Sequence, residues 1–218
     1  VGFRVQHRQR DISISQYGLK EADFLPPAPY KLTEKTSSGR GVYSFCMCPG
    51  GYVVNASSEA GGTVVNGMSY ADRGSSNANA AIIVSVGPED FLRYGEGVLA
   101  GLSYQEVLER RAYQAGQGNI PVQLFGDFLK QRESHAFGGI EPCFAGQYRF
   151  AALNGILDAP LEEAFLEGMA SFGRRIKGFD AADVILAGVE SRTSSPLRIL
   201  RNSELQANIE GFYPCGEG

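Results

Sequence analysis

The chain has no uninterrupted apolar run of about 18 residues, so no segment is expected to cross a membrane as a helix. Its first residues, VGFRVQHRQR, have no apolar stretch leading to a small-residue cleavage site, and no signal peptide is expected. Cysteine is scarce. Four in 218 residues are too few for a disulfide scaffold, and reduced thiols in the cytoplasm are the expectation. Charge of one sign is also lacking: 20 Lys+Arg against 24 Asp+Glu give a net charge of -4. A nucleic-acid partner needs a basic face to displace counterions, so none is expected. No GxSxG, HExxH or Walker pattern occurs, and His7 and His135 complete no triad. No GxGxxG follows an apolar strand, so the chain holds no complete dinucleotide-binding unit of its own.

What is present is a core. The sequence is 43% hydrophobic, with 13 Phe and 10 Tyr, which excludes disorder as the main state. Glycine is in excess, 28 residues, and that points to tight turns or to backbone lying close to a ligand. The chain does not begin with Met and stops on Pro214-Cys215-Gly216-Glu217-Gly218, so a piece of a longer protein is expected. Val1, Phe3 and Val5 alternate with polar residues as in a strand, and Leu25–Pro29 reads as an extended connector. Strands are expected over 30–36, 42–48, 52–55, 63–68 and 80–86, with turns at Pro49-Gly50-Gly51 and Gly61-Gly62. Ser103 and Glu106 form a capping-box pattern ahead of a helix that stops at Gly116. Pro121 to Lys130 reads as a short helix with Pro121 at its start. A longer helix over 160–177 places Leu161, Phe165, Met169, Phe172 and Ile176 on one face. Strands return over 183–189 and 197–200, and Phe212-Tyr213 leads into the terminal glycines. The expected class is α+β, an antiparallel sheet or small barrel with a helical addition.

Four segments carry chemistry. Cys46 and Cys48 lie two apart on an expected strand, which would put both sulfurs on one face. That pattern suits a redox pair, a soft-metal site, or plain core packing. Only His7, His135, Cys143 and Cys215 add soft ligands, none at ligand spacing, so no metal is expected. Glu190 to Arg198 sets hydroxyls and guanidiniums directly after an apolar strand, where Arg192 and Arg198 suit a carboxylate or phosphate and a surface turn is the plain alternative. Gly216-Glu217-Gly218 suits a turn where backbone approaches a ligand. The polar set Asn55, Ser57, Ser58, Glu59, Asn66, Ser69, Arg73, Asn77 and Asn79 suits either a polar pocket or sheet-edge loops.

The blocks from Gly39 to Gly51, Val65 to Ser69, Gln123 to Phe128, Gly188 to Ile199 and Gly211 to Gly218 together resemble the C-terminal part of the bacterial FAD-dependent dehydrogenases, also called NAD(FAD)-utilising dehydrogenases. The resemblance covers nearly the whole chain. It implies a longer flavoprotein in which a β-rich insert with helices interrupts an FAD-binding Rossmann-type domain. Residues 1–29 would leave that domain, 30–182 would form the insert (substrate) domain, and 183–218 would return toward it. The function implied is the substrate side of an FAD-dependent oxidoreductase, inactive as this piece alone. Glu217 would accept a bond from a ribityl hydroxyl of FAD, and Gly216 and Gly218 would let backbone reach the pyrophosphate. Ser194 and Ser195 would face the isoalloxazine or the substrate, with Cys46, Cys48, Arg192 and Arg198 as candidate catalytic residues. The partners implied are the rest of the FAD domain, a small-molecule substrate and NAD(P)H. The alternative is a non-catalytic binding or assembly module that shares the fold.

Overall fold

A computed structural model of the chain describes residues 1–21, 24–193 and 199–215. The elements run in chain order as β1 Gly2–Arg8, α1 Gln9–Tyr17, β2 Thr33–Lys35, β3 Gly41–Cys48, β4 Tyr52–Asn55, β5 Val65–Met68, β6 Asn77–Val84, α2 Pro88–Phe91, α3 Ala100–Gly116, β7 Ile120–Leu124, α4 Phe125–Leu129, β8 Phe144–Ala145, β9 Tyr148–Phe150, α5 Ala159–Arg175 and β10 Ile185–Glu190. Seven strands form one open sheet in the order β2-β3-β6-β1-β10-β7-β9, antiparallel except for the last pair. Three strands, β5-β4-β8, form a second sheet. The class is therefore α+β. Of the two shapes expected, the open sheet is realised and the closed barrel is not, because β2 and β9 end the large sheet as separate edges.

The period-two pattern of β1 divides the interior. Phe3, Val5 and His7 point to one face, where α5 lays Leu161, Phe165, Met169 and Phe172 across the sheet. Phe3 meets Phe165 edge-on at 5.3 Å and Phe128 at 5.8 Å between ring centres. Tyr104, Leu108 and Ala112 of α3 join the same cluster. Gly2, Arg4 and Gln6 point to the other face, which the small sheet covers. There Val53 and Val65 pack on Ile120, Val122 and Ala187. β1 and β10, from the two ends of the chain, lie side by side in the large sheet, and β1 also pairs along its whole length with β6. The segments 1–29, 30–182 and 183–218 thus share one hydrogen-bonded sheet.

Several expectations are corrected. Pro121 lies in β7 rather than starting a helix, because Ile120 and Val122 are drawn into the core. The strand tolerates the missing N–H because Pro121 lies outside the residues registered with β10, which begin at Val122. Helix α3 begins at Ala100, so Ser103 is inside it and caps nothing; no side chain caps its start. Strand β2 is confined to three residues, and among the described residues 199–215 there is neither helix nor strand; of the strand expected over 197–200, positions 197 and 198 lie outside the described residues. No helix of the described residues is long and apolar enough to cross a membrane.

His7 is closed into this core, with its ring 4.2 Å from Phe179 and Nε2 bonded to the Phe179 carbonyl at 2.8 Å. Burial lowers its pKa from 6.5 to about 4. The folded state thus refuses a proton that the unfolded chain accepts. Stability is fully present above about pH 6.5 and should fall by roughly 3 kcal/mol as pH drops toward 4. Urea denaturation at pH 7 and pH 4.5 should show this loss in the parent, and the His7→Gln variant should show a smaller one over the same window.

Candidate functional site

Between the two sheets sits a charge. Arg4 is fully buried, 0% exposed, on the face of β1 that points toward the small sheet. Two one-residue slips in the ladders assemble its surroundings. On β10 the register changes between Gly2↔Glu190 and Arg4↔Ala187, so one extra residue moves Glu190, in place of Val189, onto the face of Arg4. On β3 it changes between Phe45↔Ala81 and Cys48↔Asn79, which brings Cys48, in place of Met47, onto that face. The Arg4 guanidinium then donates from Nε and Nη2 to the two carboxylate oxygens of Glu190, the second bond at 3.0 Å. Nη1 donates to the Cys46 carbonyl at 2.7 Å and to Asn79 Oδ1 at 3.2 Å, and lies 4.0 Å from Cys48 Sγ. Nη2 also donates to Asn66 Oδ1 at 2.8 Å. The guanidinium fills the place where Gly67 of β5 would carry a side chain, so only glycine fits there.

The electrostatics follow from burial. Taking Arg4 out of water opposes its charge, but Glu190 more than compensates and the guanidinium stays protonated. Burial pushes the Cys48 thiol above its ordinary range, with Arg4 pulling the other way.

The two cysteines do not share a face as their spacing predicted. Cys46 has a left-handed backbone, φ 46°, inside the bulge, and its side chain is exposed; Cys48 is buried. All four cysteines are free thiols.

Arg192 extends from the end of β10 and is held by Glu109 of α3. Nε and Nη2 donate to the two Glu109 oxygens at 2.8 and 2.7 Å, Ser191 Oγ donates to the same carboxylate at 2.7 Å, and Arg192 Nη1 reaches Ser58 at 2.8 Å. Glu109 is almost fully buried, so this pair links α3, β10 and the 57–58 loop. The expected polar set divides accordingly. Asn66 and Asn79 attach to Arg4, Asn77 donates to Gln6, Ser58 meets Arg192, and Ser69 donates to the Pro49 carbonyl. Ser194, Ser195, Arg198, Gly216, Glu217 and Gly218 lie outside the described residues. Among the described residues no glycine turn joins a parallel strand to a helix N-terminus, and no group of three His, Cys, Asp or Glu gathers as a metal site. A cavity of about 670 Å³ opens beside α1, lined by Arg8, Gln9, Asn77 and Glu141 among others, and Arg8 there donates to the Gly139 carbonyl.

Sequence reasoning missed Arg4 and Glu109, and took Glu190 only as the start of a polar loop. A lone arginine among apolar alternation in Val1–Val5 was the signal for the first. The partners of all three come from distant segments.

The family model described as "FAD-dependent protein, C-terminal domain-like" matches residues 1–193. An uncharacterized protein of Clostridium beijerinckii (strain ATCC 51743 / NCIMB 8052) is 45% identical over 223 residues, an alignment that covers 100% of this chain and 42% of that protein. The chain therefore spans less than half the length of this relative.

Breaking the buried pair should be costly because the surviving partner is left charged without water. Arg4→Met and Glu190→Gln should each lower unfolding stability by about 3–5 kcal/mol, and the double variant should lose much less than the sum. Urea midpoints of the four proteins in a double-mutant cycle measure this.

Proposed function

Because the chain belongs to the FAD-dependent protein, C-terminal domain-like family, we propose that it is the substrate-side region of an FAD-dependent oxidoreductase. Its remaining residues hold the cofactor. The observation that carries this is the family match over 1–193 in a chain whose described residues contain no dinucleotide-binding turn. In such an arrangement FAD supplies hydride or electron-pair transfer, and NAD(P)H is the proposed reductant. This chain supplies shape, polarity and exclusion of water. The described residues offer no cradle for a pyrophosphate, so that task falls to the rest of the protein and to the segments around Ser194, Ser195, Gly216, Glu217 and Gly218.

The chain's own contribution is a rigid polar floor. Arg4 and Glu190 fix the carbonyl of Cys46 and the position of Cys48, and Glu109 fixes Ser191 and Arg192 at the end of β10. A substrate resting near Cys46 would meet groups whose places are set before it binds, which is how a binding site lowers its ordering cost. The alternative of a non-catalytic module draws on one observation: Arg192 is already satisfied by a buried carboxylate. Under that reading Arg192→Ala in the longer protein would leave turnover unchanged.

The segment after the matched region supports a missing neighbour. Leu200 is 76% exposed, Ile209 63%, and Leu205 and Tyr213 59% each, all without helix or strand. Exposed apolar side chains gathered this closely in sequence suit a surface that another part of the protein covers. We propose that the FAD-holding part covers it.

Two measurements test these points. The full-length protein should purify yellow, with the visible bands of oxidised flavin in stoichiometric amount, and the 218-residue chain should purify colourless. A full-length protein without flavin that also fails to bind added FAD overturns the reading. In light scattering the isolated chain should self-associate with rising concentration, and Leu200→Ser with Ile209→Ser should reduce this. A clean monomer of the unaltered chain at high concentration removes the covered-surface proposal.

A further inference from the structure

We propose that Cys46 and Cys48 form a dithiol site that exchanges with small-molecule disulfides, Cys46 as the entering thiol and Cys48 as the resolving one. The reaction carries its own oxidant, the disulfide, so it stands independently of the flavin reading.

The backbone is shaped to present Cys46. A non-glycine residue at φ 46° costs on the order of 1–3 kcal/mol and persists only where its surroundings hold it. Here the Arg4 guanidinium and the Cys48 thiol both donate to the Cys46 carbonyl, at 2.7 and 3.3 Å. The result turns the Cys46 side chain out to solvent, where a disulfide can reach it.

Cys48 rests as a buried neutral thiol that donates to the Cys46 carbonyl, but its surroundings also hold one unused donor for the thiolate that forms during exchange. Asn79 is its registered partner across the β3–β6 ladder, so their side chains share a face as neighbours. Asn79 is fully buried, its Oδ1 accepts from Arg4, and its Nδ2 finds no acceptor among the described residues. A buried amide donor is normally satisfied. A neutral thiol accepts weakly, but a thiolate accepts strongly and would use this donor together with Arg4, already 4.0 Å away. Gly51 packs directly against Cys48, where an added side chain would stand 2.9 Å from Cys48 Cβ and 2.7 Å from the Met68 carbonyl and Ser69 Oγ. The resting side chains lie on different sides of the strand, Cys46 exposed and Cys48 buried, and a regular strand would set their Cα atoms about 6.8 Å apart, the outer limit of what a disulfide spans, so ring closure needs the backbone to move. Closure therefore draws on the bulge, where Cys46 and Met47 have no registered partner on β6.

The steps balance. The Cys46 thiolate attacks one sulfur of RSSR, a Cys46–SR bond forms, the original S–S bond breaks, and RS⁻ takes up the proton that Cys46 released. The Cys48 thiolate then attacks Cys46 Sγ, the intramolecular disulfide forms, and the second RS⁻ leaves and takes the Cys48 proton. Two protein thiols are oxidised, and one disulfide is reduced to two thiols.

The test uses oxidised glutathione on the chain carrying Cys143→Ser and Cys215→Ser, followed by intact mass and released glutathione. The expected product has lost two hydrogens and released two equivalents. Cys48→Ser should stop as a stable adduct of one glutathionyl group on Cys46, and Cys46→Ser should not react. Asn79→Ala should keep the first step and slow the second roughly ten-fold, the effect of losing one hydrogen bond to a charged group; Asn79→Ser gives a second, smaller perturbation at the same position. A parent chain that forms only the stable adduct, that does not react, or that releases the same amount of glutathione as Cys48→Ser overturns the proposal.

Discussion

The Arg4–Glu190 pair is the constraint on which the rest of the structure depends. A guanidinium removed from water is tolerable only if all its donors find acceptors and its charge finds a partner. Meeting that demand draws in β10 through Glu190, β6 through Asn79, β5 through Asn66 and Gly67, and β3 through the Cys46 carbonyl. The two sheets meet over this charge, so their relative placement is set by directed bonds there and by apolar packing around it. The apolar face of the large sheet, with Phe3, Phe165 and Phe172, supplies the bulk of the hydrophobic burial.

The bulges in β3 and β10 build the surroundings of this charge. A regular ladder would turn Met47 and Val189 toward Arg4 and send Cys48 and Glu190 to the opposite face. One extra residue in each strand reverses that choice. The same distortion holds Cys46 in a left-handed conformation at the surface. The buried ion pair of β1 and β10 and the exposed thiol of β3 are joined by the bond from Arg4 to the Cys46 carbonyl. The second buried carboxylate, Glu109, does comparable work where β10 ends, gathering Ser191 and Arg192 against α3.

The relation to known proteins fits this arrangement. A chain in the FAD-dependent protein, C-terminal domain-like family, which spans 42% of a relative's length, has its longest irregular described segment just beyond the matched residues, and that segment is rich in exposed apolar side chains. Inside the matched region the apolar residues are largely used in the core.

Much of the fold was legible from local pattern. Helix α5 announced itself through Leu161, Phe165, Met169 and Phe172, and β3, β4 and β6 through apolar runs bounded by glycine turns, because helical and extended periodicity depend only on which neighbours along the chain share a face. Pro121 misled because its local preference for a helix start was outweighed by burial of Ile120 and Val122 against strands far away in sequence. The sequence by itself determined the class, the main helix and most strands, and the family resemblance. Only the tertiary structure decided which of those cysteines is exposed, that Arg192 belongs to Glu109, and that Arg4 and Glu190, 186 positions apart, are one unit. The physical reason is register. A single inserted residue in a strand exchanges its two faces, and whether a ladder contains that slip depends on the partner strands and on the buried charge they must satisfy.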